Sequence, residues 1–217
     1  MSPIEELELR GHAGLPLHCV LHGDATRTAL VLPGAGGSEN RLGGTPARPD
    51  LHYTGDLLRE QGWSVLEVWW DADTLPDDRE ARDTWRLANA EAAIAGLAAR
   101  GGELALLVGR SLGTVALAQL RASPERALLP SVWIVPLLQV ERVRESLLAG
   151  GPRFLLCGGA DAAYDANAAA AIERSGGEVV VLAGANHGLD VGDAPASARA
   201  LADGLERMGA FLRRLAG

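Results

Sequence analysis

Lysine is absent from this chain of 217 residues, and all 20 basic side chains are arginines. That absence excludes a phosphate-binding P-loop, whose phosphates need the lysine of its GK[ST] segment. It also excludes chemistry through a lysine Schiff base, the usual attachment of pyridoxal phosphate included. Cysteine is scarce. Cys19 and Cys157 are the only two, and both fall in apolar, strand-like stretches. The expectation is a reduced, cytoplasmic chain rather than a disulfide-built one. The opening residues MSPIEELELRG carry acid where a signal peptide needs positive charge. No apolar run reaches the length of a membrane span; the longest, 128–138, holds a serine and two prolines. Positive charge is also in deficit, for a net charge of −8. A surface of that sign repels phosphate backbones, so no nucleic-acid partner is expected.

What remains is an ordinary folding composition, 47% hydrophobic and 22% charged. Residues 1–217 suit one domain, which buries roughly 70% of its unfolded surface without disulfide or metal. Residues 4–10 alternate apolar and charged side chains, as a half-exposed edge strand does. Segment 17–22 is a second short strand, and 28–32 is an apolar run closed by Pro33-Gly34. Helical spacing over 51–61 stops at Gly62, and the Val- and Trp-rich 63–70 is a strand. Residues 83–100 form an Ala-rich helix with Asp83 as its expected N-cap. Strands follow at 104–108, 131–135, 154–157 and 178–182, and helices at 112–121, 140–148, 166–175 and 197–215. The fold class is therefore α/β, with an eight-stranded, mostly parallel sheet and helices on both faces. No helix separates the first two strands, so they pair antiparallel at one edge.

Strand 104–108 runs into Gly109-Arg110-Ser111-Leu112-Gly113, and a helix follows at once. The pentapeptide G-x-S-x-G by itself is a weak signature; its place between strand and helix sharpens it. A serine at such a turn stands above the sheet edge, and the following helix aims its first N–H groups at negative charge nearby. Two partners sit after later strands. Segment 154–157 leads to Gly158-Gly159-Ala160-Asp161, and 178–182 leads to Ala183-Gly184-Ala185-Asn186-His187-Gly188. All three side chains thus fall beyond the C-terminal ends of parallel strands, the edge where open α/β sheets carry their sites. His187 can take the Ser111 proton, and Asp161 can hold the imidazole in the required tautomer.

With these motifs the chain resembles the α/β-hydrolase superfamily along nearly its whole length, and most of all its small, lidless esterase-like and dienelactone-hydrolase-like members. The resemblance implies a serine hydrolase with the catalytic set Ser111, Asp161 and His187. It further implies an acyl-enzyme, a small-molecule ester or thioester substrate, and neither cofactor nor metal. The family's oxyanion loop falls on Pro33-Gly34-Ala35-Gly36-Gly37, with Pro33 where histidine is usual. By that correspondence the backbone N–H groups of Ala35 and Leu112 form the oxyanion hole. The large cap that many relatives insert after the sixth strand is missing, since 136–153 has room for one short helix. The alternative is a non-catalytic binding or scaffold protein of the same fold, which has no need to keep all three side chains.

Other residues read as structural. Asp165 precedes a helix and suits its N-cap better than the triad, and Asp190 lies in a solvated loop. His18 and Cys19 point to opposite faces of a strand, so they make no metal site. Asp71, Asp73, Asp77 and Asp78 form an acidic loop without a calcium-loop pattern. The glycines after Pro33 fail the dinucleotide fingerprint, whose third glycine falls on Glu39. Arg110 is expected to ion-pair beneath the turn. Trp69, Trp70, Leu137, Leu138 and Tyr164, with Trp133, are expected to wall a shallow cleft, and Asp71 to give it a negative rim that Arg110 or Arg41 offsets. Such a cleft suits short acyl groups. A monomer and a homodimer both remain open.

Overall fold

The apolar runs at the centre of the chain's α/β alternation become strands that bury both faces, the edge strands stay partly exposed, and the eight strands of the described residues lie in one sheet. The computed structural model describes residues 3–24, 27–34 and 48–216. The strands are β1 (Ile4–Arg10), β2 (Pro16–His22), β3 (Arg27–Leu32), β4 (Ser64–Trp69), β5 (Glu103–Arg110), β6 (Ser131–Ile134), β7 (Arg153–Gly158) and β8 (Glu178–Leu182). Their spatial order is β1-β2-β4-β3-β5-β6-β7-β8. β2 runs antiparallel to both β1 and β4, and every other neighbouring pair is parallel.

Among the described residues the α-helices are α1 (Pro49–Glu60), α2 (Arg79–Ala98), α3 (Gly113–Leu120), α4 (Glu141–Leu148) and α5 (Ala166–Arg174), which fall between strands, and α6 (Ala194–Ala216), which follows β8. Alternate strand residues sort into two cores. Leu30, Leu32, Leu107, Trp133 and Leu155 pack under α2, α3, α4 and α5 through Trp85, Leu97, Leu117, Val143 and Ile172. Ala29, Val31, Val108, Ile134 and Leu156 pack under α1 and α6 through Leu51, Leu58, Met208 and Phe211. A side chain of this size gains about 1.5–3 kcal/mol from full burial, which fixes which face each strand residue takes.

Helix starts differ most from the sequence reading. α2 begins at Arg79, and Asp78 is its cap, accepting the Ala81 N–H at 2.8 Å. Asp83 is instead inside the helix, paired with Arg86 at 3.2 Å. The acidic run 77–83 offers several capping carboxylates, and the apolar stripe alone does not choose among them. α1 starts at Pro49, whose fixed φ suits a first helical position. β5 extends to Arg110 because Gly109 and Arg110 still pair with Trp133 and Ile134 of β6. Leu32 of β3 stands beside Gly109, and Gly158 of β7 beside Leu182, so these strands end along one edge.

Candidate active site

That shared edge carries the site. Leaving β5, the chain turns at Ser111, which holds φ +49°, a left-handed conformation rare for a residue with a Cβ. The turn is pinned on both sides. The Ser111 N–H donates to the Ile134 carbonyl at 3.0 Å, and the Ser111 carbonyl accepts from the Thr114 N–H at 2.9 Å. α3 starts so close to β3 that a Cβ on Gly113 would stand 2.3 Å from the Leu32 carbonyl oxygen. Only glycine admits that approach, and it sets Ser111 at the N-terminal end of α3.

Asp161 and His187 come from two loops that lie against each other. The Gly159 N–H donates to the Leu182 carbonyl at 2.9 Å, and the Ala160 N–H to the Ala185 carbonyl at 2.8 Å. A Cβ on Gly158 would meet the Asn186 carbonyl oxygen at 2.4 Å, so glycine is required here too. The Asn186 side chain closes the histidine loop by accepting from the Gly188 N–H at 2.7 Å and the Asp190 N–H at 3.2 Å.

These supports bring the three side chains into one chain of hydrogen bonds. Ser111 Oγ lies 2.7 Å from His187 Nε2, and His187 Nδ1 lies 2.7 Å from Asp161 Oδ2. The other Asp161 oxygen accepts from the Ala163 N–H at 2.8 Å. Asp161 and Ser111 are buried, whereas the imidazole is 41% exposed. With the Nδ1 proton donated to Asp161, the Nε2 lone pair faces the serine hydroxyl. Neither rival carboxylate touches the histidine. Asp165 caps α5 through the N–H groups of Asn167 and Ala168. Asp190 accepts from the Gly192 N–H and the Ser197 hydroxyl, and the Gly192 bond is the main cause of its lowered pKa.

Both thiols are inert in this setting. Burial pushes Cys19 up to about 12, and burial together with the Asp161 charge pushes Cys157 up to about 12. Among the described residues, no three His, Cys, Asp or Glu side chains come together as a metal site. No helix among them is long and apolar enough to cross a membrane.

Three of the six apolar side chains expected to wall the cleft are buried in the core. Trp70 is buried, donating its indole N–H to the Pro33 carbonyl at 3.0 Å and packing on Trp85. Leu138 and Trp133 are fully buried as well. All three belong to the core that the sheet buries under α2, α3, α4 and α5, where their apolar surface leaves water. Trp69, Leu137 and Tyr164 are half-buried, and Asp71 is exposed. Leu112 is half-buried at the start of α3, while Ala35 and Arg41 lie outside the described residues. The sequence reading missed Asp50. Its carboxylate binds Arg110 Nε at 2.6 Å, with both side chains buried. Nothing local in the sequence links these two residues; Asp50 reads only as a first-turn acid of a helix.

Compared by sequence, the chain matches no protein-family model and no curated protein. Solved structures do match. A serine hydrolase without a lid from Xanthomonas campestris superposes with a TM-score of 0.72 at 19% identity, covering 99% of this chain and 95% of that one. The Pyrococcus furiosus esterase Pf2001 gives 0.74 at 14% identity, over 100% and 94%. An alpha-beta serine hydrolase homologue from Coxiella burnetii gives 0.71 at 15%, over 96% and 98%. The sheet order, the helices on both faces and these full-length superpositions give one conclusion: the chain has the α/β-hydrolase fold.

Proposed function

We propose that the protein is a serine hydrolase, a carboxylesterase that cleaves a small ester or thioester through an acyl-enzyme on Ser111. The observation that carries this reading is the unbroken hydrogen-bond path Ser111–His187–Asp161, with both links at 2.7 Å. A second support is the strained Ser111 turn at the head of α3.

Each residue then has a task. Ser111 Oγ attacks the acyl carbon while His187 Nε2 takes its proton. Asp161 keeps Nδ1 protonated and stabilises the imidazolium that forms. The Leu112 N–H, with that of Ala35, binds the oxyanion of the tetrahedral intermediate. Collapse expels the alcohol or thiol, which leaves with the imidazolium proton. Water next gives a proton to His187 and attacks the acyl-enzyme. The acid leaves, and Ser111 regains its proton from the imidazolium. The two cysteines, buried and unpaired, fit a reducing compartment, which we take to be the cytoplasm.

A fluorophosphonate probe tests the assignment. The wild-type protein is expected to be phosphonylated at Ser111, as read by mass spectrometry. Ser111→Ala is expected to keep the fold and lose all labelling. A wild-type protein that is never labelled favours the non-catalytic, scaffold reading.

A further inference from the structure

We propose that Arg110 is a positioning residue for the histidine base: the side chain next to the nucleophile holds the backbone of His187 and ties it to the start of α1. The inference rests on the serine-hydrolase reading and adds a residue to it.

Arg110 is 5% exposed, and among the described residues its guanidinium makes two separate hydrogen bonds. Nε donates to Asp50 Oδ2 at 2.6 Å, and Nη2 donates to the His187 carbonyl at 3.1 Å. Asp50 is fixed in turn, because its Oδ1 accepts the Leu51 N–H at 3.1 Å in the first turn of α1. A chain of bonds therefore runs from α1 through Asp50 and Arg110 to the backbone of His187. Arg110 precedes Ser111 directly, so it joins nucleophile and base by another route than the reacting groups.

The imidazole needs such support. With 41% of its surface exposed, the ring is less tightly packed than the buried Ser111 and Asp161 on either side of it. A hydrogen bond to the His187 carbonyl restricts the backbone of that residue, and the backbone sets the direction in which the ring leaves. Stability alone gives little reason for the ion pair. Desolvating two charges offsets most of their attraction, and apolar residues of similar volume often serve as well. The two-armed geometry is specific to arginine. A lysine offers its donors from one nitrogen at the end of a flexible stem and lacks two nitrogens fixed in one plane, one toward Asp50 and one toward the His187 carbonyl.

The test uses the rate of fluorophosphonate labelling, separated into its maximal rate and the probe concentration that half-saturates it. Two charge-balanced variants are compared with the wild type. Arg110→Lys keeps a cation against Asp50, and Arg110→Met combined with Asp50→Asn removes both charges. Each is expected to fold and to lose maximal rate by on the order of 10-fold to 100-fold, because small misplacements of a reacting group have effects of that size. The half-saturating concentration is expected to stay within about two-fold, since the lost contact orients the base rather than binding the probe. A folded variant of either kind with the wild-type maximal rate overturns the proposal. So does a crystal structure of the phosphonylated wild type in which Arg110 is beyond hydrogen-bond distance of the His187 carbonyl; finding the bond intact supports it even if both variants fail to fold. No labelling of the wild type overturns the serine-hydrolase reading itself, which separates that failure from this one.

Discussion

Ser111, Asp161 and His187 were visible as candidates because each stands beside glycines at the end of an apolar strand, a local pattern. The Asp50–Arg110 bond was not, because it joins residues 60 positions apart and no periodicity or spacing encodes it. The cysteines show the same limit in another form. Their apolar surroundings were readable, but the depth of burial that fixes their chemistry is a tertiary property. Both thiols hold their protons up to about 12 in the folded chain, against an ordinary value of 9.0. The unfolded chain therefore releases these protons first. Their contribution to stability is whole below about pH 9 and is lost as the pH rises toward about 12. Iodoacetamide at pH 8.5 is expected to leave both thiols unmodified in the native protein, leave phosphonylation of Ser111 unchanged, and alkylate both once urea unfolds the chain. Fast native-state alkylation, read by mass spectrometry, would contradict the burial described here.

The elements themselves were legible to within a few residues, since the strands read as apolar or alternating segments and the helical stretches carry their own period. Their ends were less so. The start of α2 depended on which of several acids caps it, and the answer, Asp78, comes from the Ala81 N–H that it receives. Packing between elements was legible only where glycine marked it. At Gly113 the mark has a sharp meaning, because a methyl group there would overlap the carbonyl oxygens of Leu32 and Pro33 at 2.3 and 2.6 Å. Backbone atoms at the end of β3 cannot swing aside as a flexible side chain does. Gly113→Ala is expected to cost about 1–3 kcal/mol of stability. For a chain of this length that lowers Tm by about 2–4 °C per kcal/mol. The clash also pushes α3 away from β3, which moves Ser111, so labelling is expected to slow more than the loss of folded protein explains. Calorimetry and the labelling rate on the same preparation check both parts. An unchanged Tm would mean that α3 and β3 are not held this close.

At the scale of the whole molecule, the strand order is what brings three distant residues to one edge. The alternation of strand and helix predicts a parallel sheet, and a parallel sheet predicts a common edge for its strand ends. It does not predict how much apolar surface that edge leaves open. The sequence offered six apolar side chains for a cleft wall, and the structure buries Trp70, Trp133 and Leu138 in the core. Trp69, Leu137 and Tyr164 are left half-buried, with the exposed carboxylate of Asp71 at the end of β4. The chain from β6 to β7 holds one short helix, α4, and no cap domain stands over the site among the described residues. A long acyl chain gains about 0.8 kcal/mol for each methylene it buries, but only where apolar surface is present to receive it. If the three half-buried side chains wall the cleft as proposed, the described residues offer apolar surface for only the first few methylenes, and methylenes left in water gain nothing. The activity on p-nitrophenyl esters is therefore expected to be highest for acetate to butyrate and to fall as the acyl chain lengthens toward palmitate. The measurement is kcat/KM across the series below the micelle concentration of each ester. A profile that rises toward palmitate would require apolar surface from outside this cleft. A second copy of the chain would then be its first candidate source, and the oligomeric state at the assay concentration would decide that point.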